Sequence, residues 1–91
     1  MSASLHLPAA LRPSAGGEAV LPLSAPTLGV ALDELGTTHP QLARRIRDEQ
    51  GRVRRHIRIY VEDTDIAQLG GLETRLDRGV RVYVIPAVSG G

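Results

Sequence analysis

A single long amphipathic helix is the feature of this sequence that most restricts its fold. Pro26 and Thr27 favour the start of a helix, and Gly36 favours its end. Between them, apolar residues recur at the i, i+3, i+4 and i+7 spacing of one helix face, namely Leu28, Ala31, Leu32 and Leu35. Because an apolar helix face must be buried against another element, we expect residues 27–36 to cover a sheet.

Alternating apolar residues predict the strands of that sheet. The clearest strands are residues 57–61 and 80–85, and residues 5–7 and 19–23 predict an N-terminal hairpin. Pro22 indicates that the second strand lies at a sheet edge, because proline has no N–H to donate. With only one long helix available, this order of elements predicts an α+β domain with a mixed sheet.

Shorter segments connect these elements. Residues 11–17 are rich in turn-forming residues, and residues 63–65 predict a second turn. A short helix is expected over residues 39–48. We also expect Ile66 and Leu69 to return to the core.

Composition excludes several kinds of site. The 91 residues suffice for one domain, whose core must be aliphatic because the chain has no Phe or Trp. The absence of cysteine excludes disulfides, thiolate metal sites and cysteine nucleophiles, and the three histidines lie too far apart for a local metal motif. No apolar run is long enough to span a membrane, and residues 1–4 lack a signal-peptide pattern. A cytoplasmic location is therefore expected.

The basic residues are unevenly distributed. The formal net charge is only +1, yet seven of the eleven basic residues, all arginines, fall within fifteen positions: Arg44, Arg45, Arg47, Arg52, Arg54, Arg55 and Arg58. Such a cluster is typical of a nucleic-acid surface, of a solvated loop or of a docking patch for an acidic partner. Nucleic acid is disfavoured here, because no stacking aromatic residues are interleaved with the arginines.

The sheet face opposite the helix is the predicted docking surface. If the strands are neighbours, alternation places Arg58, Tyr60, Arg81 and Tyr83 on that face, together with His6. Tyr and Arg are enriched at the energetic centres of protein interfaces. The alternative is a solvated face with cross-strand contacts between Arg and Tyr.

The chain ends in Gly90-Gly91, and this tail is the predicted functional group. We expect a domain over residues 1–86 and a flexible tail over residues 87–91, which includes Ser89. Glycine has no Cβ, so such a tail can enter a channel too narrow for other residues. The alternative is an ordinary frayed terminus. In the functional interpretation, the terminal carboxylate of Gly91 reacts.

Five motifs follow one another along the chain: Thr27-Leu28-Gly29, the run from Ile59 to Ile66, Gly70-Gly71-Leu72, Asp77-Arg78-Gly79 and the C-terminal run from Val82 to Gly91. In this order they resemble the motifs of the ubiquitin-like β-grasp sulfur carriers, and the resemblance covers nearly the whole chain. Within this family the chain is most similar to the actinobacterial carriers of cysteine biosynthesis, on the evidence of Leu11-Arg12-Pro13, Gly16-Gly17 and Pro86-Ala87-Val88.

The resemblance implies a β-grasp fold and a role as protein co-substrate rather than enzyme. It implies that an E1-like activating enzyme uses ATP to adenylate Gly91, which then becomes a thiocarboxylate. A pyridoxal-phosphate cysteine synthase paralogue would use the sulfur, and a JAMM-type metalloprotease would regenerate the tail. The pyridoxal phosphate, zinc and ATP belong to these partners, so the chain itself is expected to bind no cofactor or metal.

Four alternatives remain open at this point. The chain could be the small subunit of a molybdopterin synthase or the sulfur donor for another metabolite. It could be a ubiquitin-like protein modifier, although a chain without lysine cannot form side-chain conjugates on itself. It could also be an interaction or nucleic-acid-binding domain that uses the arginine cluster.

Overall fold

A five-stranded mixed sheet forms the centre of the computed structural model, which describes residues 3–86. The strands are β1 (Ala3–His6), β2 (Val20–Leu23), β3 (Ile57–Val61), β4 (Thr64–Asp65) and β5 (Arg81–Pro86). Two α-helices, α1 (Leu28–Thr38) and α2 (Pro40–Ile46), lie between β2 and β3 in the chain. Three 3-10 helices span Ala9–Ala15, Ile66–Gln68 and Gly71–Glu73. This architecture confirms the predicted α+β class.

The strand order across the sheet is β2-β1-β5-β3-β4. The hairpin of β1 and β2 is antiparallel, β1 and β5 are parallel, and β3 is antiparallel to both β5 and β4. The last strand of the described residues, β5, therefore lies in the middle of the sheet with a partner on each side. The edge position predicted for the strand that contains Pro22 is confirmed.

An aliphatic core joins the sheet to the helices, as the composition predicts. Its most deeply buried side chains come from both layers, with Leu5, Ile59 and Val82 on the strands and Leu28, Leu32, Leu42 and Ile46 on the helices. Among residues 3–86, no polar or charged residue is buried. The whole predicted stripe of α1 is buried, which confirms that this helix covers the sheet.

The start of α1 agrees with the prediction, but its end does not. The Thr27 hydroxyl accepts a hydrogen bond from the Val30 N–H at 3.4 Å, which caps the helix. Gly36, the predicted stop, lies inside α1. A glycine weakens a helix interior by only about 1 kcal/mol relative to alanine, which the burial of the apolar stripe up to Leu35 outweighs. The helix ends at Thr38, and the N–H of its C-cap residue His39 donates to the Leu35 carbonyl at 2.7 Å, immediately before Pro40 starts α2.

Three connecting segments also differ from the prediction. The predicted turn at 11–17 is largely a 3-10 helix that buries Leu11 and Ala15. Part of the predicted turn at 63–65 forms β4, because a tight turn at Glu62 (φ 54°) folds the chain back onto β3. The prediction for Leu69 is wrong, since this side chain is 49% exposed, whereas Ile66 is buried as expected.

Within residues 3–86, neither helix has the length and apolar character that crossing a membrane requires.

Candidate functional site

The residues predicted to form the docking surface lie together on one face of the sheet. In the antiparallel pair of β3 and β5, Tyr60 is opposite Tyr83. Arg58 and Arg81 lie on the same face, because strand residues two apart point the same way. The prediction of this surface required β3 and β5 to be neighbours, and they are. We call this side of the sheet the open face, because the helices cover the other side.

An aromatic row crosses the middle of the open face. The pairings of the five strands bring Val20, His6, Tyr83, Tyr60 and Asp65 into one line. The rings of His6 and Tyr83 lie 4.8 Å apart between centroids and are tilted by 33°. His6 Nε2 is 2.9 Å from the Ser4 hydroxyl, a hydrogen bond that orients the imidazole. The three aromatic members of the row, His6, Tyr83 and Tyr60, are half-buried and form a largely preformed surface.

The charges of the open face differ in how far they are neutralised. Arg81 is 3.5 Å from the Glu62 carboxylate, which also accepts the Arg81 backbone N–H at 2.8 Å. Both side chains are well exposed, so this ion pair is weak. Arg58 has no carboxylate within 4.0 Å among residues 3–86 and lies opposite Ile85. Its positive charge is therefore available to a partner.

Ile85 is a member of the open face that the sequence interpretation missed. Its side chain is 45% exposed, although it lies in a central strand. The same alternation that placed Arg81 and Tyr83 on this face also places Ile85 there, so the signal was present in the sequence. An exposed aliphatic side chain beside Arg58 adds apolar area near the end of β5.

The described part of the chain ends with β5, at the residue that precedes the predicted tail. Pro86 is paired with Ile57 at the last position of the ladder between β3 and β5. The tail residues Ser89, Gly90 and Gly91 lie outside the described residues, so their predicted roles and the division of the chain at residue 86 stay predictions. The structure describes the chain as far as Pro86, which precedes the predicted tail and follows Ile85 of the open face.

Potential metal ligands are scattered over the described residues. His6 lies on β1, His39 lies between the two helices, and His56 precedes β3. Within residues 3–86, no group of three or more His, Cys, Asp or Glu side chains is close enough to hold a metal ion.

Comparison with known proteins identifies the family. The sequence profile of the ThiS family matches residues 5–91. The chain belongs to the ThiS family. The predicted membership of the ubiquitin-like β-grasp sulfur carriers is thereby confirmed.

Several relatives match this ThiS-family chain over its full length. The sulfur carrier protein CysO of Mycobacterium tuberculosis is 34% identical over 93 residues, covering all of both chains. The crystal structure of that protein superposes with a TM-score of 0.85, at 33% identity, over 94% of this chain and 99% of CysO. The BexX/CysO complex of Amycolatopsis orientalis gives a TM-score of 0.88 at 30% identity and covers 99% of this chain and all of the matched one. These matches confirm the β-grasp fold.

A protein described as a modifier, rather than as a sulfur carrier, is also similar to this chain. The small archaeal modifier protein 3 of Haloferax volcanii is 35% identical over 65 residues, which cover 71% of this chain and 70% of that protein.

Proposed function

We propose that this protein is a sulfur carrier whose C-terminal Gly91 is converted to a thiocarboxylate that donates its sulfur in cysteine biosynthesis. The observation that carries the proposal is the full-length similarity to CysO, a sulfur carrier protein, together with a sequence that ends in Gly90-Gly91. In this role the chain is a co-substrate and the catalytic groups belong to its partners.

The chemistry takes place at one carboxylate. An oxygen of the Gly91 carboxylate attacks the α-phosphorus of ATP, and pyrophosphate leaves. Hydrosulfide then attacks the acyl carbon of the adenylate, and AMP leaves with the electrons of the broken C–O bond. The product is a thiocarboxylate at the chain end, which explains how a chain without cysteine can carry sulfur.

In this role, the described residues would hold the strand that precedes the tail and would bind the partner. β5 is the central strand, so the segment that precedes the tail is held by two neighbouring strands. Glycine at positions 90 and 91 leaves no Cβ to obstruct a narrow active-site channel. The open face, with Arg58, Tyr60, Arg81 and Tyr83, would bind the enzyme while Gly91 reaches its active site.

The proposed partners are enzymes that act on this tail in sequence. The first is an E1-like activating enzyme that uses ATP, and the second is a pyridoxal-phosphate cysteine synthase paralogue. A JAMM-type metalloprotease would then release the product and restore Gly91. The related A. orientalis chain was solved in a BexX/CysO complex, which supports the view that a carrier of this kind works while docked on another protein.

Intact-mass measurement tests the proposal. The protein is incubated with the activating enzyme of its own organism, ATP and a sulfide source. We expect a gain equal to the mass of one sulfur replacing one oxygen. The variant that lacks Gly91 should show no gain, while its unfolding temperature stays that of the natural chain. No gain with the natural chain would refute the proposal.

The similarity to the archaeal modifier protein supports a second candidate, a ubiquitin-like modifier. A modifier would transfer the same activated acyl group to an amine of a target protein. Immunoblots of cell extracts separate the two candidates, because a modifier produces covalent adducts of higher mass and a sulfur carrier does not.

A further inference from the structure

A basic groove lies beside Pro86, away from the aromatic row. Its volume is about 420 Å³, and it lies between α2, the first 3-10 helix and the segment before β3. Leu11, Ile57 and Pro86 form an apolar floor, and Arg44, Arg45 and Arg54 form the rim. The groove thus combines a surface that packs hydrocarbon with side chains that bind anions.

Two hydrogen bonds to backbone carbonyls fix the position of Arg54 on the rim. The N–H of Arg54 donates to the Ile46 carbonyl at 2.9 Å, and its Nε donates to the Arg44 carbonyl at 2.6 Å. Both acceptors belong to the last turn of α2, where carbonyls lack partners within the helix. The position of Arg54 is therefore set by the end of the helix that also carries Arg44 and Arg45.

The loop that leads to Arg54 is also ordered by polar contacts. The Asp48 carboxylate accepts hydrogen bonds from the backbone N–H groups of Arg52, at 3.0 Å, and Gln50, at 2.9 Å. These bonds hold the pKa of Asp48 below its ordinary value, and the bond from the Arg52 N–H has the largest effect. The loop keeps an ionised carboxylate of its own, at a position outside the groove.

Only part of the arginine cluster is neutralised within the described chain. Arg47 pairs with Asp33 at 2.7 Å, and Arg52 lies 3.7 Å from Asp48. The three rim arginines form no ion pair with any carboxylate of residues 3–86. The groove therefore concentrates positive charge that no carboxylate of residues 3–86 neutralises at ion-pair distance, although Asp48 lies close enough to Arg54 to interact with its charge and the net charge of the chain is only +1.

We propose that the basic groove binds an acidic segment of the enzyme that processes the tail. An apolar side chain of the segment would pack on Leu11 and Ile57, and flanking carboxylates would pair with the rim arginines, which suit bidentate contacts. The identity of the partner rests on the proposed function, because Pro86 lines the groove and precedes Gly91 by only five residues. Single-stranded nucleic acid fits less well, since the groove offers a base only the His56 ring to stack on and no Phe, Tyr or Trp.

Charge reversal tests the groove in the enzyme reaction. The double variant Arg44→Glu/Arg45→Glu is compared with the control Arg75→Glu/Arg78→Glu, which changes the charge equally at exposed arginines outside the groove. We expect the groove variant to raise the KM for the protein in thiocarboxylation by about tenfold or more at low salt, with kcat unchanged. Equal KM values for the two variants would overturn the proposal.

A peptide experiment tests the groove without the enzyme. The probe is a synthetic peptide in which leucine is flanked by glutamates, and the control peptide carries glutamines instead. We expect the glutamate peptide alone to shift the amide NMR signals of Arg44, Arg45 and Arg54. Equal shifts with both peptides, or binding of a thymidine oligonucleotide without binding of the acidic peptide, would overturn the proposal. Failure of the natural chain to gain sulfur would instead refute the proposed function.

Discussion

The ring of His6 lies 4.8 Å from the ring of Tyr83, on adjacent and parallel strands. This contact joins β1 to the strand that leads into the C-terminal tail. It places an aromatic surface at the centre of the open face, next to Tyr60 on β3. A partner that docks on this surface meets rings whose positions are already set by the sheet, so little side-chain entropy is lost on binding.

Tyr60→Thr should weaken docking without unfolding the protein. Threonine favours strands, so β3 is retained while the half-buried ring is lost. Aromatic residues at interface centres typically contribute about 2 kcal/mol or more, so we expect the KM for the protein to rise by about tenfold or more. The measurement is thiocarboxylation by the activating enzyme at varied concentrations of the protein.

The matched control for Tyr60 is Val20→Ala. Val20 lies in the same row of the open face but on the edge strand β2, and it is 44% exposed. We expect its KM to stay near that of the natural chain. An increase as large as that of Tyr60→Thr would show that the centre of the face has no special role.

Alanine should have opposite effects at two glycines of α1. A Cβ at Gly29 would lie 3.0 Å from the carbonyl oxygen of Leu72, whereas a Cβ at Gly36 would meet nothing within 4 Å. Alanine exceeds glycine in helix propensity by about 1 kcal/mol, so Gly36→Ala should stabilise the domain. Gly29→Ala should destabilise it, because crowding costs about 1–3 kcal/mol. Urea unfolding of both variants measures the difference, and equal stabilisation by both would contradict this reading of Gly29.

The same substitution should have unequal effects at two leucines. Leu42 on α2 is fully buried, whereas Leu69 is 49% exposed. Leu42→Ala removes packed methyl groups and leaves a cavity, so we expect the free energy of unfolding to fall by about 2–5 kcal/mol. Leu69→Ala should change it by about 0.5 kcal/mol or less. A comparable loss at Leu69 would mean that this side chain packs more deeply than the structure indicates.

Asp48 should make stability depend on pH in the acidic range. Its pKa in the folded protein is lowered, chiefly by the backbone N–H of Arg52, so the ionised form favours the folded state. This contribution is complete above the ordinary aspartate pKa of about 4 and is lost as the pH falls through the lower folded value. In chemical unfolding, the advantage of the natural chain over Asp48→Asn should therefore shrink between neutral pH and pH values below about 4. A constant difference across this range would contradict the prediction.

Local pattern was sufficient for the elements that carry a strong periodic signal. The alternation of Ile57 and Ile59 predicted β3, the stripe that contains Leu28 and Leu32 predicted α1, and Pro22 predicted an edge strand. Each of these features depends on residues close in sequence. The family resemblance then supplied the β-grasp fold as an expectation, which the structural matches confirm.

Features set by tertiary contacts were less accessible to sequence reasoning. β4 contains only Thr64 and Asp65, too short a run to show alternation, and it exists because β3 offers an edge to pair with. Leu69 follows the buried Ile66 in an apolar context, yet the chain turns it outward. The open face could be predicted only on the condition that β3 and β5 are neighbours. The basic groove required residues far apart in sequence, such as Leu11 and Pro86, to be brought together.

The central position of β5 also determines how the domain bears mechanical load. A pull on β5 along its axis loads the ladder with β1 and the ladder with β3 in shear, so their hydrogen bonds must fail together rather than one after another. An edge strand such as β2 has only one ladder to resist such a pull. A pulling force applied at Pro86 is therefore shared between two ladders, whereas the same force applied to β2 falls on one.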